Sequence, residues 1–129
     1  MIVDTSALLA ILFLEHDAEK YAKAIRGAES CRISAATFVE LSIVIESNAG
    51  DAGIRQCDAF LRGNEIEIVG FNESQGYAAR QAFSDYGEGR HPAGLNLGDC
   101  FSYALAKESG EPLLFKGSDF RKTDVTAAV

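Results

Sequence analysis

Cysteine and histidine are scarce in this sequence, which has three of the first and two of the second among 129 residues. The three cysteines, Cys31, Cys57 and Cys100, are odd in number, widely spaced and set in apolar segments without a C-x-x-C pair. A disulfide framework needs paired cysteines, and a structural zinc site needs four closely spaced Cys or His ligands. Neither kind of site is expected here.

The sequence also lacks a basic leader and a long apolar run. No Lys or Arg precedes Lys20, so the apolar stretch Ala7–Leu14 has no positively charged start of the kind found in secretory signals. That stretch is far shorter than the ~20 residues needed to span a bilayer. No repeat, linker or low-complexity segment divides the chain. We therefore expect one domain, residues 1–129, that is soluble and cytoplasmic and does not enter a membrane.

Positive charge is the third scarcity. The chain carries 12 Lys and Arg against 19 Asp and Glu, a formal net charge of -7. Polyanions such as nucleic acids are bound mainly through Lys and Arg, so the global charge argues against such a ligand. A bound Mg²⁺ inverts the local field of acidic residues, however, and a cluster of acids could serve that purpose. Net charge alone therefore does not exclude a nucleic-acid substrate.

Short apolar segments alternate with helical ones along the chain. The strand predictions are Ile2–Val3, Cys31–Ser34, Glu65–Val69 and Leu113–Phe115. The helix predictions are Ala7–Phe13, Ala18–Gly27, Ala35–Glu46, Asp51–Leu61, a helix after Asn72 with the apolar face Ala79, Ala82, Phe83 and Tyr86, and Asn96 to about Glu108. The predicted capping residues are Thr5 or Ser6, Asp17, Asn72 and Asn96. Strands alternating with helices, without hairpin signals, are typical of a parallel sheet with helices on both faces. The sequence therefore predicts an α/β fold.

Four acidic residues, Asp4, Glu40, Asp99 and Asp119, fall where such a sheet would gather them. Asp4 ends the first strand, Asp119 follows the last by a short loop, and Glu40 and Asp99 open helices that begin at the same edge. Ligands of open parallel sheets bind beyond this carboxyl edge. Each acid also has an ordinary explanation, as a helix cap, a capping-box acid or a turn residue. Glu40 fits these least, because its helical neighbours are apolar.

Clustered carboxylates repel one another and are tolerated chiefly when a hard divalent cation neutralises them. The four acids therefore predict a cage for Mg²⁺ or Mn²⁺ and metal-assisted phosphate chemistry. Basic residues near the acids are candidate phosphate contacts, and they are Arg80, Arg90, His91, Lys116, Arg121 and Lys122.

Four motifs carry a resemblance to a known family. Met1–Ala7 (MIVDTSA), Phe38–Glu40, Leu95–Cys100 (LNLGDC) and Leu113–Phe120 (LLFKGSDF), in this order and spacing, resemble the PIN-domain ribonucleases, and most of all the VapC-type toxins of bacterial toxin-antitoxin pairs. The resemblance covers the whole chain. It implies a PIN-like three-layer α/β/α sandwich with a mostly parallel central sheet of four to five strands.

The resemblance also implies a site and a function. The metal-coordinating acids would be Asp4, Glu40, Asp99 and Asp119, supported by polar groups at Thr5, Ser6, Asn96 and Ser118, the last standing where many relatives carry Asn or Asp. The implied activity is Mg²⁺- or Mn²⁺-dependent endonucleolytic cleavage of RNA, leaving a 5'-phosphate and a 3'-hydroxyl. The implied partners are an RNA substrate, a cognate antitoxin protein and a second copy of the chain.

Two helical segments, Ala7–Leu14 and Ala35–Ile45, are apolar nearly all round and need burial on more than one side. A self-association surface or a partner's docking groove would provide it, and so, for the first segment, would a central position in the core.

Three alternatives remain open from the residues alone. A phospho-accepting receiver domain has about this length, but it needs an Asp at the end of the third strand, where Gly70 stands. A haloacid-dehalogenase-type phosphatase needs a second acid two residues after the first, where Ser6 stands. A catalytically silent interaction module with the same fold is the third.

Overall fold

The sheet has four strands, and every neighbouring pair is parallel. The computed structural model describes residues 1–129, and its strands are β1 (Ile2–Val3), β2 (Cys31–Ser34), β3 (Ile66–Val69) and β4 (Leu113–Leu114). Their order across the sheet is β3-β2-β1-β4, and Ile2 lies in register with Arg32 on one side and Leu113 on the other. The parallel sheet predicted from the sequence is confirmed, with four strands.

Five α-helices connect and cover these strands. They are α1 (Thr5–Leu12), α2 (Ala18–Gly27), α3 (Ala35–Gly63), α4 (Glu73–Tyr86) and α5 (Leu97–Ser109), followed by a 3-10 turn at Phe120–Lys122. The prediction of two helices between β2 and β3 is confirmed, because the backbone at Gly50 is not helical and a sharp kink there divides α3 into two helical parts. Gly50 forms the kink with φ 59° and ψ -155°, a conformation that glycine adopts without a steric penalty.

The helix starts confirm two capping predictions and correct two others. Asn72 caps α4 and Asn96 caps α5, as the sequence predicted. The cap of α1 is Asp4 itself, whose side chain accepts from the Ser6 amide, and not Thr5 or Ser6. Asp17 precedes α2 without a capping hydrogen bond, because its carboxylate accepts a hydrogen bond from the Lys116 ammonium at 2.9 Å.

The core has two parts, one on each face of the sheet. On one face, Val3 and Ile33 pack with buried residues of α1, α2 and α3, including Leu8, Tyr21 and Leu41. On the other face, a second cluster joins the sheet to α4 and α5, and its members include Ile2, Ala82, Leu95, Leu105 and Leu113. Adjacent strand residues point to opposite faces, so Ile2 and Val3 seed the two clusters. The fold is therefore a three-layer α/β/α sandwich.

The first all-apolar segment is a core helix, since Ala7, Leu8, Ala10 and Ile11 of α1 are buried. Its apolar continuation is different, because Leu14 follows the end of the helix and is 86% exposed. None of the helices combines the length and the apolar composition that crossing a bilayer demands.

Candidate active site

Asp4 is the most firmly held of the four acids. It follows the central strand β1 and is 3% exposed. Its Oδ2 accepts hydrogen bonds from the Ser6 amide (3.0 Å) and the Ser6 hydroxyl (2.6 Å), while Oδ1 accepts one from the Ser102 hydroxyl (2.6 Å). Three donors therefore fix the orientation of this carboxylate at the carboxyl edge of the sheet.

Two of the groups around Asp4 were not predicted from the sequence. Ser102 on α5 is 1% exposed, and its hydroxyl lies 3.2 Å from the hydroxyl of Thr37 on α3, which is fully buried. Each residue lies one helical turn from an acid, since Thr37 precedes Glu40 by three positions and Ser102 follows Asp99 by three. Residues three apart share a helix face. A polar residue three positions from an acid was therefore the sequence signal that could have identified Thr37 and Ser102.

Glu40 is half-buried on the second turn of α3, and its carboxylate is held from two sides. Oε1 accepts a hydrogen bond from the Thr5 hydroxyl at 2.6 Å. On the other side lies Gly98 of α5, where an added Cβ would stand only 1.6 Å from Oε2. The start of α5 therefore packs directly on the Glu40 carboxylate, which a side chain at position 98 would displace.

Asp99 lies in the first turn of α5, within the capping box that the sequence indicated. The Oδ2 atom of Asp99 accepts a hydrogen bond from the backbone amide of Asn96 (3.0 Å). The backbone amide of Asp99 in turn donates a hydrogen bond to the side-chain oxygen of Asn96 (2.9 Å). Burial is the largest cause that raises the pKa of Asp99 from 3.8 to about 7. The negative charges of the other three acids raise it further, and the hydrogen bond to the Asn96 backbone opposes the rise. The four acids are thus close enough to interact.

Asp119 and Ser118 are the most open of the candidate residues. Both are exposed in the loop after β4, and Asp119 precedes the 3-10 turn without a capping hydrogen bond. The charge of Asp119 still contributes to the raised pKa of Asp99. The Ser118 hydroxyl makes no hydrogen bond with the site, so the structure gives this residue no supporting contact.

The loop that carries Asp119 is tied to Asp4 through Ser6. The Ser6 hydroxyl donates to Asp4 and accepts a hydrogen bond from the Lys116 amide at 2.9 Å. The Lys116 ammonium is ion-paired with Glu15 and Asp17, and these two acids raise the pKa of that ammonium. Lys116 was a candidate phosphate contact, but its charge is directed to the turn between α1 and α2.

The donor set fits a hard divalent cation, although it does not form a closed cage. No group of three or more His, Cys, Asp or Glu side chains is placed to hold an ion in this structure, and Glu40 and Asp99 each use one oxygen in a hydrogen bond within the protein. All the available ligands are oxygens, which Mg²⁺ and Mn²⁺ prefer. Burial is the main cause of the raised pKa of Asp99, and the charges of the other three acids add to it. Enclosing a cation would require the carboxylates to move closer together.

Removing the Ser102 hydroxyl is expected to destabilise the protein. Ser102→Ala deletes a hydrogen bond to the buried Asp4 carboxylate, and hydrogen bonds to charged groups contribute about 1.5–3 kcal/mol each. Urea denaturation measures the change. Ser109→Ala is the matched control, because Ser109 lies on the same helix and bonds only to carbonyl oxygens of its own helix. Equal losses in the two variants would show that Ser102 does not support Asp4.

The unbound site should also make stability depend on pH. The folded-state pKa of Asp99 is above its unfolded value, so the folded protein keeps this proton to higher pH than the unfolded chain does. The resulting contribution is fully present below about pH 4 and is lost as pH rises to about 7. In EDTA, the melting temperature of wild type should therefore fall relative to that of Asp99→Asn between pH 5 and pH 7.5.

Metal should reverse that loss. A ligand that binds only the folded state stabilises it by RT ln(1 + [L]/Kd), about 2.7 kcal/mol at 100 times Kd. At pH 7.5, millimolar Mn²⁺ should raise the melting temperature of wild type more than that of Asp99→Asn. Equal shifts of the melting temperature in the two proteins would contradict the assignment of these acids as metal ligands.

Comparison with known proteins identifies a family whose sequences are similar to this chain. The family profile described as the PIN domain matches residues 1–125. A protein named ribonuclease VapC from Mycolicibacterium smegmatis is 52% identical over 127 residues, covering 98% of each chain. Ribonuclease VapC30 from Mycobacterium tuberculosis is 48% identical over 125 residues, covering 97% of this chain and 95% of the relative.

Solved structures agree on the fold. The crystal structure of Mycobacterium tuberculosis VapC20, described as a toxin that cleaves the sarcin-ricin loop, superposes with a TM-score of 0.79 at 13% identity, covering 97% of this chain and 95% of that one. A chain of a toxin-antitoxin complex from Klebsiella pneumoniae gives a TM-score of 0.72 at 16% identity, with coverages of 99% and 97%.

Proposed function

This chain belongs to the PIN-domain family and to its VapC ribonucleases, and from that premise we propose that it is an endoribonuclease that depends on Mg²⁺ or Mn²⁺ and acts through Asp4, Glu40, Asp99 and Asp119. The observation that carries the proposal is the position of the acids at the carboxyl edge of the sheet, where Asp4 is held by three donors, Glu40 by Thr5 and Asp99 by the Asn96 capping box. The substrate is an RNA phosphodiester. The products are a 5'-phosphate and a 3'-hydroxyl.

The attacking group in this proposal is water. The hydroxyls of Thr5, Ser6 and Ser102 all donate to carboxylates of the site, and in this proposal their role is to orient those carboxylates. A divalent cation bound by the carboxylates would polarise the scissile phosphate and lower the pKa of the attacking water. The protein's own part is to hold the four carboxylates in place, with Asp4 as the fixed member and Glu40 positioned by Thr5.

Helix ends also favour an anionic substrate. Helices α1, α3 and α5 all begin at the carboxyl edge of the sheet, and the start of a helix carries partial positive charge. These three ends partly offset the repulsion that the acids exert on a phosphate. Asn96 supports the site through its capping box, which sets the position of Asp99.

Cleavage of RNA by the purified protein tests the proposal. Wild type should cut single-stranded RNA when Mg²⁺ or Mn²⁺ is present and not in EDTA, and sequencing of the product ends should find 5'-phosphates. A catalytically silent PIN-like module would leave the RNA intact under both conditions. The family assignment excludes the receiver and phosphatase alternatives, since the PIN-domain profile matches residues 1–125.

Two protein partners belong to the proposal. VapC toxins pair with antitoxins, and one structural neighbour comes from a toxin-antitoxin complex, so we expect a cognate antitoxin to inhibit this chain. The second partner is another copy of the chain. Support for a homodimer comes from Val39 and Ile43, which lie one turn apart on α3 and are 53% and 59% exposed.

Light scattering at micromolar concentration tests the dimer and should report about twice the chain mass of 13.8 kDa. Ile43→Asp should shift the protein toward monomer, because it places a charge in the apolar contact. Gln56→Asp, at an exposed position of α3 beyond the kink at Gly50, should leave the mass unchanged. A monomeric wild type without antitoxin refutes this part of the proposal.

A further inference from the structure

A groove of about 590 Å³ lies between α4 and α5, next to the carboxylate site. Leu97 and Cys100 form part of its wall, and they flank Asp99 in the first turn of α5. Leu97 is 71% exposed. A molecule bound at Asp99 would therefore have its neighbouring part close to this groove.

The walls of the groove are mainly apolar, with three aromatic rings, and they also contain two side chains of opposite charge. Phe71, Phe83 and Phe101 supply the rings, with Phe71 and Phe101 in edge-to-face contact at 5.1 Å between centroids. Arg80 and Glu88 are the charged residues of the lining. Neither forms a salt bridge in the protein, so both are available to a ligand.

A second guanidinium adds positive charge beside the groove. The Arg90 guanidinium lies 5.4 Å from the centroid of the Phe83 ring, and that of Arg80 lies 5.0 Å from the centroid of Tyr77. Arg90 also has no salt-bridge partner. In a chain of net charge -7, two unpaired arginines over aromatic rings make this a place that favours a phosphate backbone.

We propose that the groove binds an unpaired nucleobase of the RNA next to the scissile phosphate, an inference that rests on the proposed ribonuclease function. A base has apolar faces that stack on aromatic rings and polar edges that offer both donors and acceptors. Specific recognition of RNA uses this combination of aromatic or Arg stacking with contacts to the exposed base edge. Arg80 can only donate and Glu88, when ionised, can only accept, so together they match both kinds of edge group.

A second copy of this chain fits the groove less well. An apolar helix inserted here would cover Arg80 and Glu88 without neutralising either, and burying an unpaired charge is costly. A base on an RNA strand supplies hydrogen bonds to Glu88 and phosphates to Arg80. Charge complementarity therefore favours the nucleic acid as the occupant.

Glu88 makes the proposal specific for the type of base. The N1–H and N2–H groups of guanine can donate to one carboxylate in parallel, and the exocyclic amines of cytosine and adenine can donate singly. The N3–H of uracil is flanked by two carbonyl oxygens that a carboxylate repels. The groove should therefore favour guanine and disfavour uracil.

The experiment uses full-length protein, Mg²⁺ and a pool of single-stranded RNA of random sequence, with sequencing of the product ends. Wild type should show guanine enriched over uracil roughly tenfold at one position beside the cut, the discrimination expected of one paired base edge. Glu88→Gln should largely remove this enrichment, because an amide both donates and accepts. Arg80→Ala should raise KM several-fold at unchanged kcat, as expected from a lost backbone or stacking contact.

Matched controls come from exposed residues of α3. Glu46→Gln and Arg55→Ala make the same chemical changes at exposed positions of α3, and both should keep the wild-type profile. The proposal is overturned if Glu88→Gln retains the enrichment of guanine. It is also overturned if the groove variants change the mass in light scattering but leave the base profile intact, because that result would assign the groove to a second copy of the chain. A wild-type protein that cuts no RNA overturns the proposed function as well, whereas cleavage without base preference overturns the groove alone.

Discussion

Asp4→Asn and Asp99→Asn are each expected to lower the rate of RNA cleavage about 100-fold or more, because a catalytic metal supplies several kcal/mol of transition-state stabilisation. Asparagine keeps the shape of the side chain but removes the charge that binds the cation. The rate constants are measured with purified protein at saturating Mg²⁺. For Asp99→Asn, the unfolding temperature in EDTA should not fall, which separates a lost metal ligand from a lost fold.

Asp51→Asn is the control for these variants. Asp51 is exposed on α3, beyond the kink at Gly50, and its replacement changes net charge by the same amount. It should cleave RNA at the wild-type rate. Cleavage by folded Asp4→Asn or Asp99→Asn within a few-fold of this control would remove the two residues from the metal site.

Gly98→Ala is expected to impair cleavage about as strongly, with a loss of stability no larger than that of the one hydrogen bond between Thr5 and Glu40. The added methyl would lie 1.6 Å from Oε2 of Glu40, so one of the two must move. The obstructing atom is the end of a flexible side chain, and Glu40 can rotate away at the cost of its hydrogen bond from Thr5. Misplacing a site residue by about 1 Å can cost on the order of 100-fold in rate.

The same substitution at Gly63 provides the comparison. A Cβ at Gly63, the last residue of α3, meets no atom within 4 Å, so Gly63→Ala should leave cleavage unchanged. Kinetics and thermal melts of both variants decide the matter. A Gly98→Ala protein that unfolds far below wild type, or one that cleaves normally, contradicts the view that this glycine serves the position of Glu40.

Local patterns were enough to predict most of the fold and the place of the acids. Parallel strands end at one edge of a sheet, so the positions of Asp4 and Asp119 relative to apolar strands already indicated a common location. The capping box of Asn96 and Asp99 was readable for the same reason, since its partners lie three residues apart.

What the sequence did not reveal depends on contacts between distant segments. Ser102 meets Asp4 across 98 positions, and Lys116 meets Asp17 across 99, so no local spacing reports either pair. The capping role of Asp4 was mistaken for that of its neighbours because Thr5 and Ser6 are equally good capping residues. Their hydroxyls are used instead to hold Glu40 and Asp4.

The sheet order β3-β2-β1-β4 limits how early the sheet can form while the protein is being synthesised. The strand made first, β1, stands in the interior of the sheet and cannot be flanked on both sides until β4 has been synthesised, because Ile2 pairs with Leu113. Contacts between such distant segments form slowly. A nascent chain that has released β1 therefore carries Asp4 without Asp99 and Asp119 beside it. The proposed carboxylate site is therefore completed only when the last segments have been synthesised, and we expect chains still attached to the ribosome to lack ribonuclease activity.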